Sequence, residues 1–318
     1  MGERTFMDAR DVSALTQRIQ ELEKENARLK EILEKNGIEY ESFESKTCNF
    51  NHIESTSISI CQFTLQEKVT IFQSVFRGRD DVFAKRWYSS TTQKSGYQPV
   101  CTREWNREFC DKRKYKCADC PNRQFAPLTY NDVFNHLAGK DVWGRDVIGL
   151  YPIRKDNTCC FLCTDFDDKS CEHGYKNDVL SFVNVCKTWN VPCYIERSRS
   201  GNGAHVWIFF DTPITAFKAR KLGNVILTEA MNSDVHLSFK SYDRFFPNQD
   251  TLPEGGLGNL VALPLQGMAR RKGNSVFVDE DFNAYADQWE LLSQIRKLSE
   301  VELDMLLRQH IEPTLGEL

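Results

Sequence analysis

Apolar side chains near the start of the chain recur in steps of three and four: Val12, Leu15, Ile19, Leu22, Asn26, Leu29 and Leu33. That spacing is the a/d seam of a short coiled coil, with Asn26 as a polar a-position residue that favours a parallel dimer in register. Arg18 and Glu25 at g positions face Glu23 and Lys30 at e positions of a partner helix. About three heptads are marginal alone, so the same stripe also suits one amphipathic helix packed on its own domain or completed by another protein. Gly37 ends the pattern, and a stretch rich in Ser, Thr and Glu follows as a linker. The expected organisation is an oligomerisation helix over 8–36, a linker over 37–66, a catalytic core over 67–295 and a C-terminal helix over 296–318. Helical periodicity is expected near 66–76, 129–138, 175–189, 213–231 and 284–309, and strands near 159–165, 192–197, 205–210 and 259–265. Helices and strands alternate in this way in a mixed α/β fold.

The first strand-forming stretch carries the first chemistry. In Cys159-Cys-Phe-Leu-Cys-Thr-Asp165-Phe-Asp167 an apolar run ends in two acids two residues apart. On a strand, positions i and i+2 share a face, so Asp165 and Asp167 can grip the same pair of divalent cations while Phe166 turns to the core. Two cations about 3.5–4 Å apart activate an attacking oxygen and stabilise a leaving one, in polymerases and nucleases alike. Acids also commonly end a strand and open a solvated loop, and Asp168 extends the run in that sense. Next, Pro192 to Ser198 reads as a strand entering a turn, Ser200-Gly-Asn-Gly203-Ala-His205, and His205 to Phe210 as the strand leaving it. Glycines there let backbone N–H groups approach phosphate oxygens, and His205 adds a hydrogen bond or a positive charge. A plain glycine hairpin with a structural histidine is the alternative. The third segment runs from Tyr242-Asp243-Arg-Phe-Phe-Pro-Asn248-Gln-Asp250 through a glycine-rich loop and an apolar strand to Arg270-Arg-Lys272. It supplies a third acid and cationic phosphate contacts at Arg270 and Lys272, with Asp243 preferred as the third acid and Asp250 its rival.

The order acid pair, glycine-histidine turn, single acid resembles the three motifs of the archaeo-eukaryotic primase superfamily, the primase-polymerases. The resemblance is closest to the TOTE conflict-system and CRISPR-associated branch, through Gly149-Leu-Tyr-Pro152, Asp165-Phe-Asp167, Gly203-Ala-His205-Val-Trp and Tyr242 to Gln249, and covers residues 68–295. It implies an N-terminal α/β module joined to an RRM-like module that carries the acids. It also implies that Asp165, Asp167 and Asp243 bind catalytic Mg or Mn and that His205 contacts the phosphates of an incoming dNTP or NTP. Asn248 follows the third acid as in related polymerase domains. Many relatives have serine two residues before the histidine; here Gly203 stands there and Ser200 earlier. The expected activity is template-directed nucleotidyl transfer to a 3′-hydroxyl on a DNA or RNA template and primer, including de novo priming. A metal-dependent nuclease and a catalytically silent nucleic-acid-binding scaffold are the alternatives. Related domains sit beside helicases, nucleases or CRISPR adaptation proteins, which are the expected partners, together with a second copy through the coiled coil.

Cys101-x8-Cys110-x6-Cys117-x2-Cys120 sets four thiols within twenty residues, a pattern suited to structural zinc in the loop 101–123, with an iron–sulfur cluster as the minority reading. The similar conflict-system primases have this cluster too. Lys112, Arg113 and Lys114 in the loop, and Arg77, Arg79 and Arg86 upstream, read as nucleic-acid contacts or as solvated surface. The chain as a whole is acidic, at net −4 and a pI near 5.9. A globally basic nucleic-acid binder is thereby excluded, and local basic runs stand out against that background. Cys159, Cys160 and Cys163 are expected as buried free thiols, and His136 as a structural residue or a template contact. Twelve cysteines without a secretory signal or an apolar span point to a reducing cytoplasm and no membrane.

Overall fold

A computed structural model of the protein describes residues 63–168, 174–233 and 240–311, together with Glu21, Lys24, Glu25, Ala27, Arg28, Ile32 and Lys35. The chain divides into two compact units, Met1–Ile58 and Ser59–Leu318. In the first, those seven positions are helical and exposed. The seam residues Val12, Leu15, Ile19, Leu22, Asn26, Leu29 and Leu33, and the linker up to residue 62, lie outside the described residues, as do Cys171 and His173.

The second unit begins with helix α1 (Leu65–Val75), which Thr64 and Glu67 close with reciprocal hydrogen bonds. Strands β1 (Ala84–Tyr88), β2 (Ser95–Pro99), β3 (Ile148–Leu150) and β8 (Val261–Ala262) make an antiparallel sheet in the order β2-β1-β3-β8. Helix α2 (Tyr130–Ala138) is capped in the same way by Thr129 and Asp132 and ends on Gly139 in the left-handed region, at φ 58°. Its His136 is fully buried and ties α2 to the sheet. Nδ1 accepts the Ile148 N–H at 3.2 Å and Nε2 reaches the Pro264 carbonyl at 2.8 Å.

A second sheet contains β4 (Thr158–Asp167), β5 (Tyr194–Arg197), β6 (Gly203–Thr215), β7 (Tyr242–Phe246) and β9 (Val276–Val278). Its order is β7-β4-β6-β5-β9, antiparallel throughout. With α3 (Gly174–Thr188) between β4 and β5, and α4 (Ala216–Ser233) between β6 and β7, the chain follows a split βαβ path. Alternation along β4 and β6 decides what each face meets. Trp207 and Phe209 pack on Phe76, just past the end of α1, at ring separations of 5.2 Å and 5.6 Å, and Phe161 packs on Trp207. On the opposite face Phe166 meets Phe182 of α3, and Leu162 lies against Gly223 of α4. Asp165, Asp167 and His205 continue the first face past the edge of this aromatic core. Cys159, Cys160 and Cys163 are buried free thiols within β4.

Two expectations are corrected. The strand expected over 259–265 is only the pair Val261–Ala262: Leu263 still donates its N–H to the Ile148 carbonyl at 2.9 Å, but Pro264, which has no N–H to donate, ends the ladder there. The helix expected over 284–309 breaks into α6 (Gln288–Ser293) and α7 (Glu300–Ile311). Between them Leu298 exchanges backbone bonds with Phe209 and Asp211, and Ser299 caps α7 with Glu302. Tyr151 is buried beside Val82, Ala84 and Leu257, away from any open surface. A short α5 (Gly267–Arg271) completes the fold.

Burial drives the His136 imidazole pKa down from 6.5 to about 4, against the pull of the Pro264 carbonyl and Asp146. Between those values the unfolded chain binds the proton and the folded one does not, so stability falls as pH drops from 6.5 to 4 and levels off below. The loss is on the order of 3 kcal/mol at 1.36 kcal/mol per unit of pKa. Urea unfolding of wild type and His136→Gln across that range is expected to show the extra slope only in wild type; parallel curves would remove His136 from the account.

Candidate active site

In register, Asp165 faces His205 and Asp167 faces Gly203 across the β4–β6 ladder. On the other side of β4 the pairing slips by one residue: Asp165 pairs with Arg244 and Phe166 with Tyr242. Asp243 is therefore the extra residue of a bulge, and a bulge re-aims its side chain. The result is that carboxylate oxygens of Asp165, Asp167 and Asp243 all lie within 4.8 Å of one another, each half-buried. Asp250 is elsewhere, ion-paired with Arg220 of α4. Behind the bulge, the buried Asp178 of α3 accepts the Ser241 hydroxyl at 2.5 Å, and the Ser241 carbonyl accepts the Asp167 N–H at 2.8 Å. One buried carboxylate thus locks β7 to the end of β4.

Three acids this close repel one another unless a cation or a proton sits among them. Arg244 gives partial relief, with Nε 2.6 Å from Asp243. An all-oxygen donor set of hard carboxylates fits Mg or Mn rather than a soft metal. Next to it, His205 Nε2 stands 3.4 Å from Asp165, while Nδ1 is 2.8 Å from Glu196, which also accepts the Trp207 indole N–H at 2.9 Å. Burial acts to lower the His205 pKa, but the Glu196 and Asp165 carboxylates outweigh it and push the pKa up to about 10. Both carboxylates thus favour the protonated imidazole. Glu196 was not singled out from sequence, yet counting back from the turn pairs Arg197 with Ala204 and Glu196 with His205.

The turn itself is tightly built. A Cβ on Gly203 would meet the Phe166 carbonyl at 2.4 Å, and Gly201 has φ 84° with the Asn274 amide 2.9 Å from where its Cβ would be. Ser200 is engaged locally, 3.0 Å from the Ser198 hydroxyl and accepting the Asn202 N–H. Arg197 donates to the Gly273 carbonyl at 2.7 Å, so the basic end of α5 is held beside the turn. There Lys272 is exposed, Arg271 caps α2 at the Ala138 and Gly139 carbonyls, and Arg270 reaches Leu137. Asn248 is exposed just beyond β7, its N–H on Asn259.

The other expected contacts scatter. Arg79 is only 5% exposed and forms a bidentate pair with Asp81, which places it in the fold rather than on its surface. Arg77 donates to the Asp211 carbonyl and Arg86 to that of Trp143. Lys112 pairs with Glu104 at 2.5 Å and lies over the Trp105 ring, Lys114 lies over Tyr115, and Arg113 projects into solvent. Cys101, Cys110, Cys117 and Cys120 line one cavity of about 30 Å³, and Cys101 Sγ accepts the Gln124 N–H. Among the described residues the group of three or more potential ligands drawn within 4.8 Å is the acid triad, so the sulfurs converge more loosely.

A mixed α/β fold thus gathers a carboxylate triad, two acids on the central strand β4 and one on the edge strand β7, that could hold a divalent cation. The chain belongs to the archaeo-eukaryotic primase domain family of TOTE conflict systems, which it matches over residues 67–306. A comparison with curated proteins finds no match. Among solved structures it is similar to the polymerase domain from Mycobacterium tuberculosis ligase D in complex with DNA, at 12% identity and a TM-score of 0.38, over 80% of this chain and 88% of that one. No helix among the described residues is long and apolar enough to cross a membrane.

Proposed function

We propose that this protein is a primase-polymerase that transfers nucleotides from dNTPs or NTPs to a nucleic-acid 3′-hydroxyl, de novo priming included, in a conflict or defence setting. Family membership supports nucleotidyl transfer in general. The observation that carries the reading to this chain is the triad: three oxygen-donor side chains from β4 and the β7 bulge meet within 4.8 Å beside the His205 imidazole. Divalent cations held by Asp165, Asp167 and Asp243 would supply an activated 3′-hydroxyl and charge neutralisation at the leaving pyrophosphate. His205, fixed by Glu196, presents positive charge to the triphosphate, and the backbone of the Gly201–Gly203 turn together with Lys272 extends that positive surface. Preorganisation then does the catalytic work without a protein nucleophile. The β4 to β7 path supports an RRM-like module around the acids. The common cavity of Cys101, Cys110, Cys117 and Cys120 supports a structural zinc loop, and the N-terminal seam a homodimer.

The test is incubation with single-stranded template, labelled dNTPs or NTPs and Mn or Mg, with and without annealed primer. Template-dependent products are expected, and products without primer if priming is intrinsic. Template degradation without synthesis would replace this reading with a nuclease, and binding without either reaction with a scaffold.

A further inference from the structure

The sheet formed by β1, β2, β3 and β8 carries a group of side chains that the acid triad does not use. Tyr88 at the end of β1 and Trp143 in the loop before β3 stack with centroids 4.8 Å apart and rings 10° from parallel. Trp143 remains 47% exposed. Two residues from Tyr88, and so on the same face of β1, Arg86 donates to the Trp143 carbonyl at 2.5 Å and lies 5.9 Å over the Tyr88 ring. Tyr97 is the register partner of Arg86, and the Arg199 guanidinium, at the start of the 198–203 turn, lies near enough for its charge to act on the Tyr97 hydroxyl. Arg199 is exposed and close enough for its charge to act on Arg86. Among the described residues neither guanidinium has a carboxylate within 4 Å, although Asp141 acts on Arg86 at longer range.

Two like charges side by side without a close counter-ion favour an anion, and a flat exposed aromatic pair favours another flat ring. A phosphate joined to an unpaired base supplies both, and base–aromatic stacking tolerates any sequence because every base has a π-face. Position agrees with this chemistry. Arg199 opens the turn that leads to Gly203 and His205, so the group is continuous with the catalytic face.

We propose that Tyr88, Trp143, Arg86 and Arg199 form a platform for the unpaired template strand, with a phosphate between the two arginines and a base on the Tyr88–Trp143 pair. The proposal rests on the nucleic-acid-directed reading above. It selects the template because a primer terminus already keeps its bases within a duplex.

The test is fluorescence anisotropy with labelled oligothymidylate, its abasic counterpart and a duplex, on the full chain without nucleotide or added divalent metal. Trp143→Ala is expected to weaken oligothymidylate binding about tenfold and to leave the abasic strand unchanged, with Trp143→Phe restoring most of the loss. Arg199→Ala is expected to weaken both strands and to make the slope of log affinity against log salt shallower by about 0.7. Equal losses on abasic and base-bearing strands, no loss on either, or a preference for duplex would overturn the platform. So would an Arg199→Ala variant altered in nucleotide affinity but not in strand binding. Binding without added metal separates this proposal from the transferase reading: a failed transferase still binds strands here, and a failed platform still extends primers at saturating template.

Discussion

Asp165→Asn is expected to lower nucleotide incorporation about a thousandfold, a loss of ~4 kcal/mol at 1.36 kcal/mol per factor of ten. The substitution keeps the shape of the side chain and removes one of three negative charges that gather within 4.8 Å. Two consequences of opposite sign follow for stability. Without metal, relief of repulsion leaves the variant at least as stable as wild type. With Mn added, wild type gains the stabilisation that follows from ligand binding to the folded state alone, and the variant loses most of that gain. Thermal unfolding with and without Mn, beside primer extension, checks both. A variant that keeps wild-type activity, or keeps the full Mn-induced shift, would take Asp165 out of the metal site.

Gly203→Ala is the second large effect, and here the cause is distance rather than charge. The added methyl would stand 2.4 Å from the Phe166 carbonyl and 3.1 Å from Asp167 Oδ1, contacts that real Cβ atoms do not tolerate without movement. The obstacle is backbone in the two central strands, so relief requires β4 and β6 to separate where the acids sit. Overpacking of this kind costs about 1–3 kcal/mol in stability. A displacement of about 1 Å in a catalytic group costs on the order of a hundredfold in rate. Activity is therefore expected to fall far more than the folded fraction at the assay temperature, with KM for the nucleotide raised as the turn shifts. Equal losses of activity and folded protein would reduce the glycine to a purely structural position.

Much of this site was legible because its parts are local. Asp165 and Asp167 share a face by strand periodicity, and His205 stands out beside the glycines of its turn; Glu196, which counting back from those glycines sets against His205, was passed over. Helices α1 to α4 followed from apolar spacing. What depended on pairing between distant segments was not legible. The order of motifs pointed to Asp243 as the third acid, but the one-residue slip of β7 against β4 that brings it to the other two is announced by no pattern in Tyr242 to Phe246. Strands β3 and β9 are three residues long, and β1 (Ala-Lys-Arg-Trp-Tyr) and β2 (Ser-Gly-Tyr-Gln-Pro) carry no apolar–polar alternation to read. Arg79 sits in a run that reads as basic surface, yet Asp81 two residues on draws it inward. The break before α7 comes from Leu298 docking on β6, a tertiary contact that overrides helical propensity.

Strand order has a consequence for motion. Asp165, Asp167 and His205 belong to β4 and β6, each hydrogen-bonded on both sides, whereas Asp243 arrives on β7 at the edge of the sheet. Edge strands open at lower free energy than central ones, so amide exchange along β7 should be faster than along β6. A partial opening confined to β7 dismantles the triad while the core stays folded. The third carboxylate is thus the point at which the site can be taken apart by fraying rather than by unfolding.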